Sequence, residues 1–233
     1  KQNYLENLKN YDDEKEKIKE QSARLENQMQ QVCEELSVKR RKAALILEEL
    51  VIKALTDLNF LSVSFKIDIQ KKENFSENGY DHVEFMISTN PGEPLKPLAK
   101  VASGGELSRI MLAVKSILAT EDEIETLIFD EIDTGISGKT ASMVAEKLAK
   151  ISVNHQVVCI SHLAQIAAMA DSHYLIEKKL ENDATFTNIY PLRRDESVRE
   201  LVRMNGDGTI TNAAMSHAME MKDMADRTKS NLV

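Results

Sequence analysis

Two adjacent carboxylates directly after a short apolar segment form the pattern with the clearest chemical use in this sequence. Residues 126–129 have the composition of a buried strand, and Asp130 and Glu131 follow it. Asp130 could hold Mg²⁺, directly or through water, while Glu131 could orient or deprotonate an attacking water molecule. The alternative is a structural role, in which the strand simply runs into an acidic helix cap.

A glycine pair at the start of a predicted helix is the second candidate. Ser103, Gly104, Gly105 and Glu106 precede or open a helix predicted over residues 105–119. Backbone N–H groups at a helix N-terminus attract anions, and glycines leave these groups open to a phosphate. The alternative is an ordinary N-cap with a tight turn.

A histidine after the next predicted strand is the third candidate. His162 follows a strand predicted over residues 156–160, where its ring could reach a phosphate or a water molecule. The alternative is a helix cap or a structural histidine. The remaining histidines do not have the spacing of metal ligands.

Residues 135–140 look like a nucleotide-phosphate loop but lack its first glycine. That loop needs Gly-x-x-x-x-Gly-Lys followed by Ser or Thr, and Asp133 stands where the first glycine belongs before Gly138. The segment therefore predicts a turn and a helix start, with Lys139 on the surface. The sequence then carries half of a nucleotide-binding site, because nothing in it cradles the nucleotide.

The elements that position these residues alternate between short strands and helices from residue 103 onward. This order is typical of an α/β fold with a largely parallel sheet and chemistry at the carboxyl ends of the strands. A polar loop is predicted at 71–80, inside a hairpin of strands 61–69 and 82–88. The other predicted strands cover 126–129, 156–160, 173–178 and 185–190, and the helices 105–119, 138–151, 163–169, 197–204 and 212–227.

Residues 1–50 predict one long coiled-coil helix. Apolar residues recur every seven positions along two seams that alternate in steps of four and three. Such a seam needs a partner helix, so we expect an arm over 1–55 and a globular lobe over 56–233. The seams contain Tyr4, Tyr11, Ile18, Leu25, Val32 and Ile46, and Leu8, Met29, Leu36, Ala43 and Leu50.

Composition excludes several classes of protein. With 233 residues, 42% of them hydrophobic, and a net charge of −8, the chain is neither disordered nor broadly basic. The highly charged first twenty residues do not predict a signal peptide, and no apolar run approaches the roughly 20 residues of a membrane span. Two distant cysteines indicate free thiols in the cytosol. Residues 39–42 are basic, which predicts a solvated helix face or a phosphate-contacting patch, and a start at Lys1 suggests a fragment or a processed product.

Three motifs together resemble the ATP-binding-cassette (ABC) ATPases. Residues 102–106 are similar to their signature motif, 127–131 to their Walker B strand, Asp133 lies where the D-loop would be, and His162 where the switch histidine would be. The long helix resembles the structural-maintenance-of-chromosomes (SMC) branch. Residues 101–109, 129–138 and 161–167 resemble, more narrowly, the RecN family of bacterial DNA repair proteins.

The sequence also departs from the wider superfamily. Ala102 and Glu106 stand where transporter cassettes usually carry Leu and Gln, and both residues fit the RecN family. The Walker A loop and the Q-loop, which precede the coiled coil in that family, are absent from the chain. The resemblance therefore implies the C-terminal lobe of an ABC/SMC-type P-loop ATPase head, preceded by a coiled-coil helix. Alternatives are another SMC-like or transporter ATPase, and a non-enzymatic coiled-coil interaction module.

The resemblance also implies roles for the candidate residues. Two heads would clamp two ATP molecules, so the implied partners are a second copy of the head, the N-terminal half of the same protein, and DNA, with no membrane. The implied setting is the nucleoid in the cytoplasm, and the process is recombination and double-strand break repair in the SOS response. The γ-phosphate of the ATP on the opposite head would be contacted by Ser103, Gly104 and Gly105, and Glu106 would belong to the same nucleotide-binding motif. Asp130 would bind Mg²⁺, and Glu131 would act as the general base. Asp133 would couple the two sites at the dimer interface, and His162 would contact the γ-phosphate.

Overall fold

The computed structural model describes residues 2–101, 103–118, 124–181, 184–206 and 209–232. Three strands follow the first long helix, and a short 3-10 helix, Leu98–Lys100, precedes the second long helix. From residue 104 to residue 181 helices and strands alternate, as the sequence predicts. The helices are α1 (Gln2–Asp57), α2 (Gly104–Leu118), α3 (Gly138–Ile151), α4 (Ala164–Ala168), α5 (Arg194–Asn205) and α6 (Asn212–Ser230). The strands are β1 (Ser64–Ser76), β2 (Gly79–Ser88), β3 (Lys96–Pro97), β4 (Thr126–Phe129), β5 (Gln156–Cys159), β6 (His173–Glu181) and β7 (Ala184–Leu192).

The chain divides into two compact units. The first comprises Lys1–Glu49 and Lys66–Met86, and the second comprises Leu50–Phe65 and Ile87–Val233. The first unit thus includes most of the hairpin as well as the long helix. The predicted division into an arm and a head lobe near residue 55 stays a prediction.

In the first unit, the hairpin packs on one face of α1. Cys33, Ser37, Ala44 and Glu48 are buried there, at the spacing that brings helical residues to one side. Polar side chains fix the register, because Ser37 Oγ and Arg40 Nη1 each donate to the Asp81 carboxylate at 2.9 Å. Buried polar groups of this kind are satisfied only in one alignment of helix and strand.

Most described residues of the heptad seam lie on a different face of α1 and are open to solvent, whereas Leu36 is half-buried. Tyr11, Ile18 and Val32 are 67%, 66% and 64% exposed. Leu25, Met29, Ile46 and Leu50 are also exposed. The long helix of the prediction is confirmed, whereas its coiled-coil partner stays a prediction.

The loop predicted at residues 71–80 is wrong. β1 continues to Ser76, and β2 begins at Gly79, whose φ of +86° favours glycine. β1 neighbours β2 in a three-stranded sheet with the order β1-β2-β3. Residues 71–76 are exposed and, apart from Phe75, polar. Backbone pairing makes them a strand without the apolar alternation on which the prediction relied.

The second unit contains a parallel strand pair with helices beside it. β4 and β5 pair in parallel with Thr126 opposite Gln156 and Phe129 opposite Cys159, as the α/β pattern predicts. The buried residues of α3 recur in steps of three and one, so they form an apolar stripe along one side of the helix, as expected for a helix packed on a core. They include Ala141, Val144, Ala145, Leu148 and Ala149. In α2 the buried apolar residues are Ile110, Leu112, Ala113 and Val114.

β6 and β7 depart from the parallel pattern. They pair antiparallel, with His173 opposite Leu192, because only residues 182–183 separate them and a parallel crossover needs a dozen or more. A small core joins the last three helices, and its buried members are Ala164, Ala168, Val198, Leu201, Val202, Ala218 and Ala225. In the part of the chain that the structure describes, none of the helices has the length and apolarity that a membrane span requires.

Candidate functional site

The three candidate motifs meet at one edge of the β4–β5 pair. Because these strands are parallel and end in register, the residues after each strand emerge side by side. The pairing continues for one step, since Ile160 N donates to Phe129 O at 3.0 Å. Asp130 and Glu131 therefore lie beside the segment that carries His162, as the carboxyl-end rule for α/β sheets predicts.

A tight turn with an unusual backbone carries the two carboxylates. Glu131 has a φ of +56°, in the left-handed region that side chains other than glycine rarely adopt. Asp130 Oδ1 accepts a hydrogen bond from Glu131 N at 3.0 Å, and Thr134 N donates to Glu131 O at 3.1 Å. Strained conformations of this kind persist where the surroundings impose them, often at functional sites. Both Asp130 and Glu131 are exposed and can reach a ligand.

The N-terminus of α2 lies directly on this turn. A Cβ at Gly104 would lie 2.8 Å from Glu131 Oε2, and one at Gly105 would lie 2.9 Å from Glu131 O. Ser108 Oγ donates to Asp130 O at 2.8 Å. The glycine pair therefore permits close contact between α2 and the turn, and it sets the Glu131 carboxylate near the positive end of the helix.

The remaining residues of the signature-like motif cap the helix. Ser103 Oγ accepts a hydrogen bond from Glu106 N at 3.4 Å, so the capping alternative for Ser103 agrees with the structure. Ser103 is exposed and Glu106 is half-buried. Ala102 lies outside the described residues.

Asp133 ties the two strand ends together. It is 2% exposed, and its Oδ2 accepts from Ser161 Oγ at 2.6 Å and from His162 N at 2.7 Å. His162 Nδ1 lies 3.0 Å from the same oxygen, while the His162 side chain is 71% exposed. The Asp133 carboxylate is thus directed into the interior of the protein, where it holds the segment that carries Ser161 and His162. The predicted contact of Asp133 with a second head stays a prediction.

Two residues of this site were not assigned a role by the sequence. Arg109 is buried, and its Nη1 donates to the carbonyl oxygens of Ile132 at 3.2 Å and Thr134 at 2.9 Å. Ser161 links Asp133 to the next helix, because its Oγ also accepts from Leu163 N at 3.0 Å. A charged residue inside the apolar stripe of α2 was the available signal for Arg109.

Burial sets the electrostatics around these residues. Burial lowers the pKa of Arg109, with Glu106 and Asp133 opposing that effect, but a guanidinium keeps its charge at neutral pH. Burial also raises the pKa of the Cys159 thiol to about 12, helped by the nearby charges of Asp133 and Asp130. Cys159 is therefore a protonated, unreactive thiol, which agrees with the prediction of free cysteines.

Asp130 is a residue of this site that could take part in holding a metal ion. In the described ranges no group of three or more His, Cys, Asp or Glu side chains could hold a metal ion. Mg²⁺ is typically held by one or two carboxylates together with substrate phosphates, and the exposed Asp130 meets that requirement.

Residues 135–140 form a turn and a helix start, as predicted, since α3 begins at Gly138 and Lys139 is exposed.

Comparisons with known proteins identify relatives of the chain. No family model matches it. The DNA repair protein RecN of Halalkalibacterium halodurans is 46% identical over 196 residues, which cover 82% of this chain and 35% of that protein. RecN of Bacillus subtilis is 50% identical over 155 residues, covering 66% of this chain and 27% of that protein. The chain thus spans about a third of the length of the curated relatives it matches.

The fold also has a solved counterpart. The Smc head domain with a coiled coil and joint from Pyrococcus yayanosii matches 72% of this chain and 30% of that chain, with a TM-score of 0.50 and 18% identity. At this identity the likeness concerns the fold alone, and it agrees with the predicted SMC-type head. Over the stretch that it shares with its curated relatives, the chain belongs to the family of the DNA repair protein RecN.

Proposed function

We propose that the chain is part of the ATPase head of an SMC-like DNA repair protein. The observation that carries the proposal is the convergence of Asp130, Glu131 and His162 with the N-terminus of α2 at one edge of the sheet. Phosphoryl transfer depends mainly on positioning and on charge stabilisation, and these groups supply both. The relatives named DNA repair protein RecN give the process in which the activity is used.

Each side chain has one role in this proposal. Glu131 orients the attacking water and takes its proton, and the exposed His162 ring contacts the γ-phosphate of ATP. Asp130 holds Mg²⁺, which when bound neutralises phosphate charge. The backbone N–H groups near Ser103, Gly104 and Gly105, with Glu106 behind them, receive the γ-phosphate of a nucleotide on a second head.

The nucleotide cradle comes from elsewhere in the full-length protein. The sequence contains no complete phosphate loop, and Ile128, Val158 and Ile160 at the strand pair are exposed. An N-terminal half that supplies the cradle would cover this apolar surface. We accordingly expect the 233-residue chain alone to hydrolyse ATP negligibly, because it lacks the positioning on which catalysis depends. Turnover by the purified chain equal to that of the full-length protein would refute this expectation.

The partners follow from the same proposal. They are a second copy of the head, the N-terminal half of the same protein, and DNA held while the heads open and close. The exposed seam of α1 supports pairing with a second helix, since an apolar heptad stripe is stable only when buried. The place of action is the nucleoid in the cytoplasm, during recombination and double-strand break repair in the SOS response.

The test is Glu131→Gln in the full-length protein. The amide keeps the shape of the side chain but cannot take a proton, so ATP binding is retained, turnover falls strongly and closed head dimers accumulate. Glu146→Gln, at an exposed position of α3, makes the same chemical change away from the turn and is expected to leave turnover unchanged. ATPase assays and size-exclusion chromatography read these outcomes. Normal turnover by Glu131→Gln would instead favour a non-enzymatic interaction module.

A further inference from the structure

Two lysines interrupt the apolar seam of α1. Lys15 lies one helical turn from both Tyr11 and Ile18, and Lys39 lies one heptad after Val32. Because seven residues make almost two turns of an α-helix, both lysines project from the same face as these exposed apolar residues. Lys15 and Lys39 are exposed as well. The face of α1 that needs a partner helix is therefore apolar with a positive charge at two positions along it.

The β1–β2 hairpin does not supply a carboxylate to these lysines. It packs on the side of α1 that contains the buried Ser37, and Lys39, two residues further on, points about 200° away around the helix. Asp81 of the hairpin accepts a hydrogen bond from Ser37 Oγ at that contact. Within the described ranges, neither Lys15 nor Lys39 forms an ion pair or a side-chain hydrogen bond. Their counter-charges are left for the partner helix to provide.

The two charges restrict which helix can cover the seam. Burying an ammonium group against apolar side chains without a compensating charge is costly. A lone polar residue in the core of a coiled coil lowers stability for the same reason, and it fixes the register by penalising every alignment that leaves it unpaired. The seam of α1 is thus complementary to a helix that is apolar elsewhere and carries Asp or Glu opposite Lys15 and Lys39.

A second copy of α1 does not meet this requirement. In a parallel pair in register, Lys15 faces Lys15 and Lys39 faces Lys39. In an antiparallel pair aligned so that Leu25 faces Met29, Lys15 faces Lys39. A shift of the antiparallel pair by one heptad places Lys15 opposite an apolar residue instead. Like charges in facing positions, or an unpaired buried charge, select against each of these pairings.

We propose that α1 pairs with a helix of different sequence whose acidic side chains face Lys15 and Lys39, and that these lysines set the register of the pair and exclude self-pairing. The inference rests on the proposed function, in which a second helix covers the exposed seam, and it adds the charge pattern that this helix requires. The two carboxylates lie about 36 Å apart on the partner, which is the rise of α1 from Lys15 to Lys39.

Two synthetic heptad peptides test the charge requirement on the 233-residue chain. They share a leucine seam and differ only in having glutamate or lysine at two core positions about 36 Å apart, which meet Lys15 and Lys39 in either orientation. Isothermal titration calorimetry should show the glutamate peptide binding about tenfold more tightly, because both facing pairs change from repulsive to attractive.

Charge reversal on the chain gives the matched comparison. Lys15→Glu combined with Lys39→Glu should reverse the preference between the peptides. Lys17→Glu combined with Arg41→Glu makes the same change of charge at exposed positions outside the seam, and it should keep the wild-type preference. Equal affinity of the wild-type chain for the two peptides, or a preference that reversal at Lys15 and Lys39 leaves unchanged, would overturn the inference.

Sedimentation equilibrium of the 233-residue chain tests the exclusion of self-pairing. Lys15→Leu combined with Lys39→Leu completes the apolar seam, so this variant should self-associate at least about tenfold more tightly than the wild-type chain. Lys17→Leu combined with Arg41→Leu adds the same apolar groups outside the seam and should not. A wild-type chain that dimerises as tightly as the variant with leucine at positions 15 and 39 would contradict the role of the lysines.

Limited proteolysis of the full-length protein addresses the natural partner helix. Lys15→Glu combined with Lys39→Glu brings carboxylates together, so chymotrypsin should cut after Tyr11 faster than in the control with Lys17→Glu and Arg41→Glu. Equal rates in the two variants, with slow cleavage in the wild type, would overturn the inference. Rapid cleavage in the wild type would instead refute the covered seam of the proposed function. The peptide and self-association results need no nucleotide, so they stand whether or not the head hydrolyses ATP.

Discussion

Alanine at Gly105 tests whether the glycine pair is required for contact between α2 and the carboxylate turn. The added Cβ would lie 2.9 Å from Glu131 O, 2.9 Å from Thr134 Cβ and 3.1 Å from Thr134 O. Two of these three atoms are backbone oxygens, so the turn itself has to shift. Overpacking of this kind costs about 1–3 kcal/mol. Because Ala is favoured over Gly in helices by at most about 1 kcal/mol, and less in a first turn, we expect a net loss of about 1–2 kcal/mol.

Gly104→Ala is the matched control for this substitution. There the Cβ would meet the Glu131 carboxylate, with Oε2 at 2.8 Å and the carboxyl carbon at 3.9 Å. A side-chain end can rotate away at little cost, so the free energy of unfolding should stay within about 0.5 kcal/mol of the wild-type value. Both substitutions should lower ATP turnover in the full-length protein, since each displaces Glu131.

Urea unfolding followed by far-ultraviolet circular dichroism measures the two free energies when the denaturant slopes agree. Hydrogen exchange of the Thr134 amide, which donates to Glu131 O at 3.1 Å, reports the turn directly. Gly105→Ala should speed this exchange, whereas Gly104→Ala should not. Equal unfolding midpoints for the two variants, together with equal exchange at Thr134, would refute the steric reasoning.

Three further predictions concern local features. Burial alone would raise the pKa of Asp81, but hydrogen bonds from Arg40 and Ser37 hold it below its usual value. Its contribution to stability is therefore present above about pH 4 and is lost as pH falls through the lowered folded-state pKa. In urea titrations Asp81→Asn should remove that acid-side loss, and an unchanged pH dependence would contradict this. The hydrogen bond to Glu34 raises the pKa of Tyr80 to about 12. The contribution of Tyr80 to the stability of the fold is therefore fully present below about pH 10 and is lost as pH rises toward the folded-state pKa of about 12. Absorbance at alkaline pH should show one late tyrosine that is missing in Tyr80→Phe, and identical curves would exclude it. Glu131→Gly should be more stable than Glu131→Ala by about 1 kcal/mol, because only glycine accepts a φ of +56° without strain. Thermal unfolding should therefore give the glycine variant the higher melting temperature, and equal melting temperatures would contradict the strained backbone.

The local sequence pattern was sufficient to predict most helices and strands and the positions of the candidate motifs at their ends. The predicted strand 126–129 and the predicted helix 138–151 have the same bounds as β4 and α3. Parallel pairing of β4 and β5 followed from the alternation of strands and helices. The polar half of β1 was mispredicted as a loop, because its pairing with β2 comes from backbone hydrogen bonds, which side-chain polarity does not report.

By itself, the sequence determined which residues could bind phosphate, activate water and form a heptad seam, since these depend on residue type and local spacing. Only the tertiary structure decided that Arg109 grips the backbone around Asp133 and that Asp133 turns inward to hold His162. Those contacts join residues more than twenty positions apart. They arise when parallel strands end side by side and a helix with two small residues packs on the turn between them, which one-dimensional periodicity does not encode.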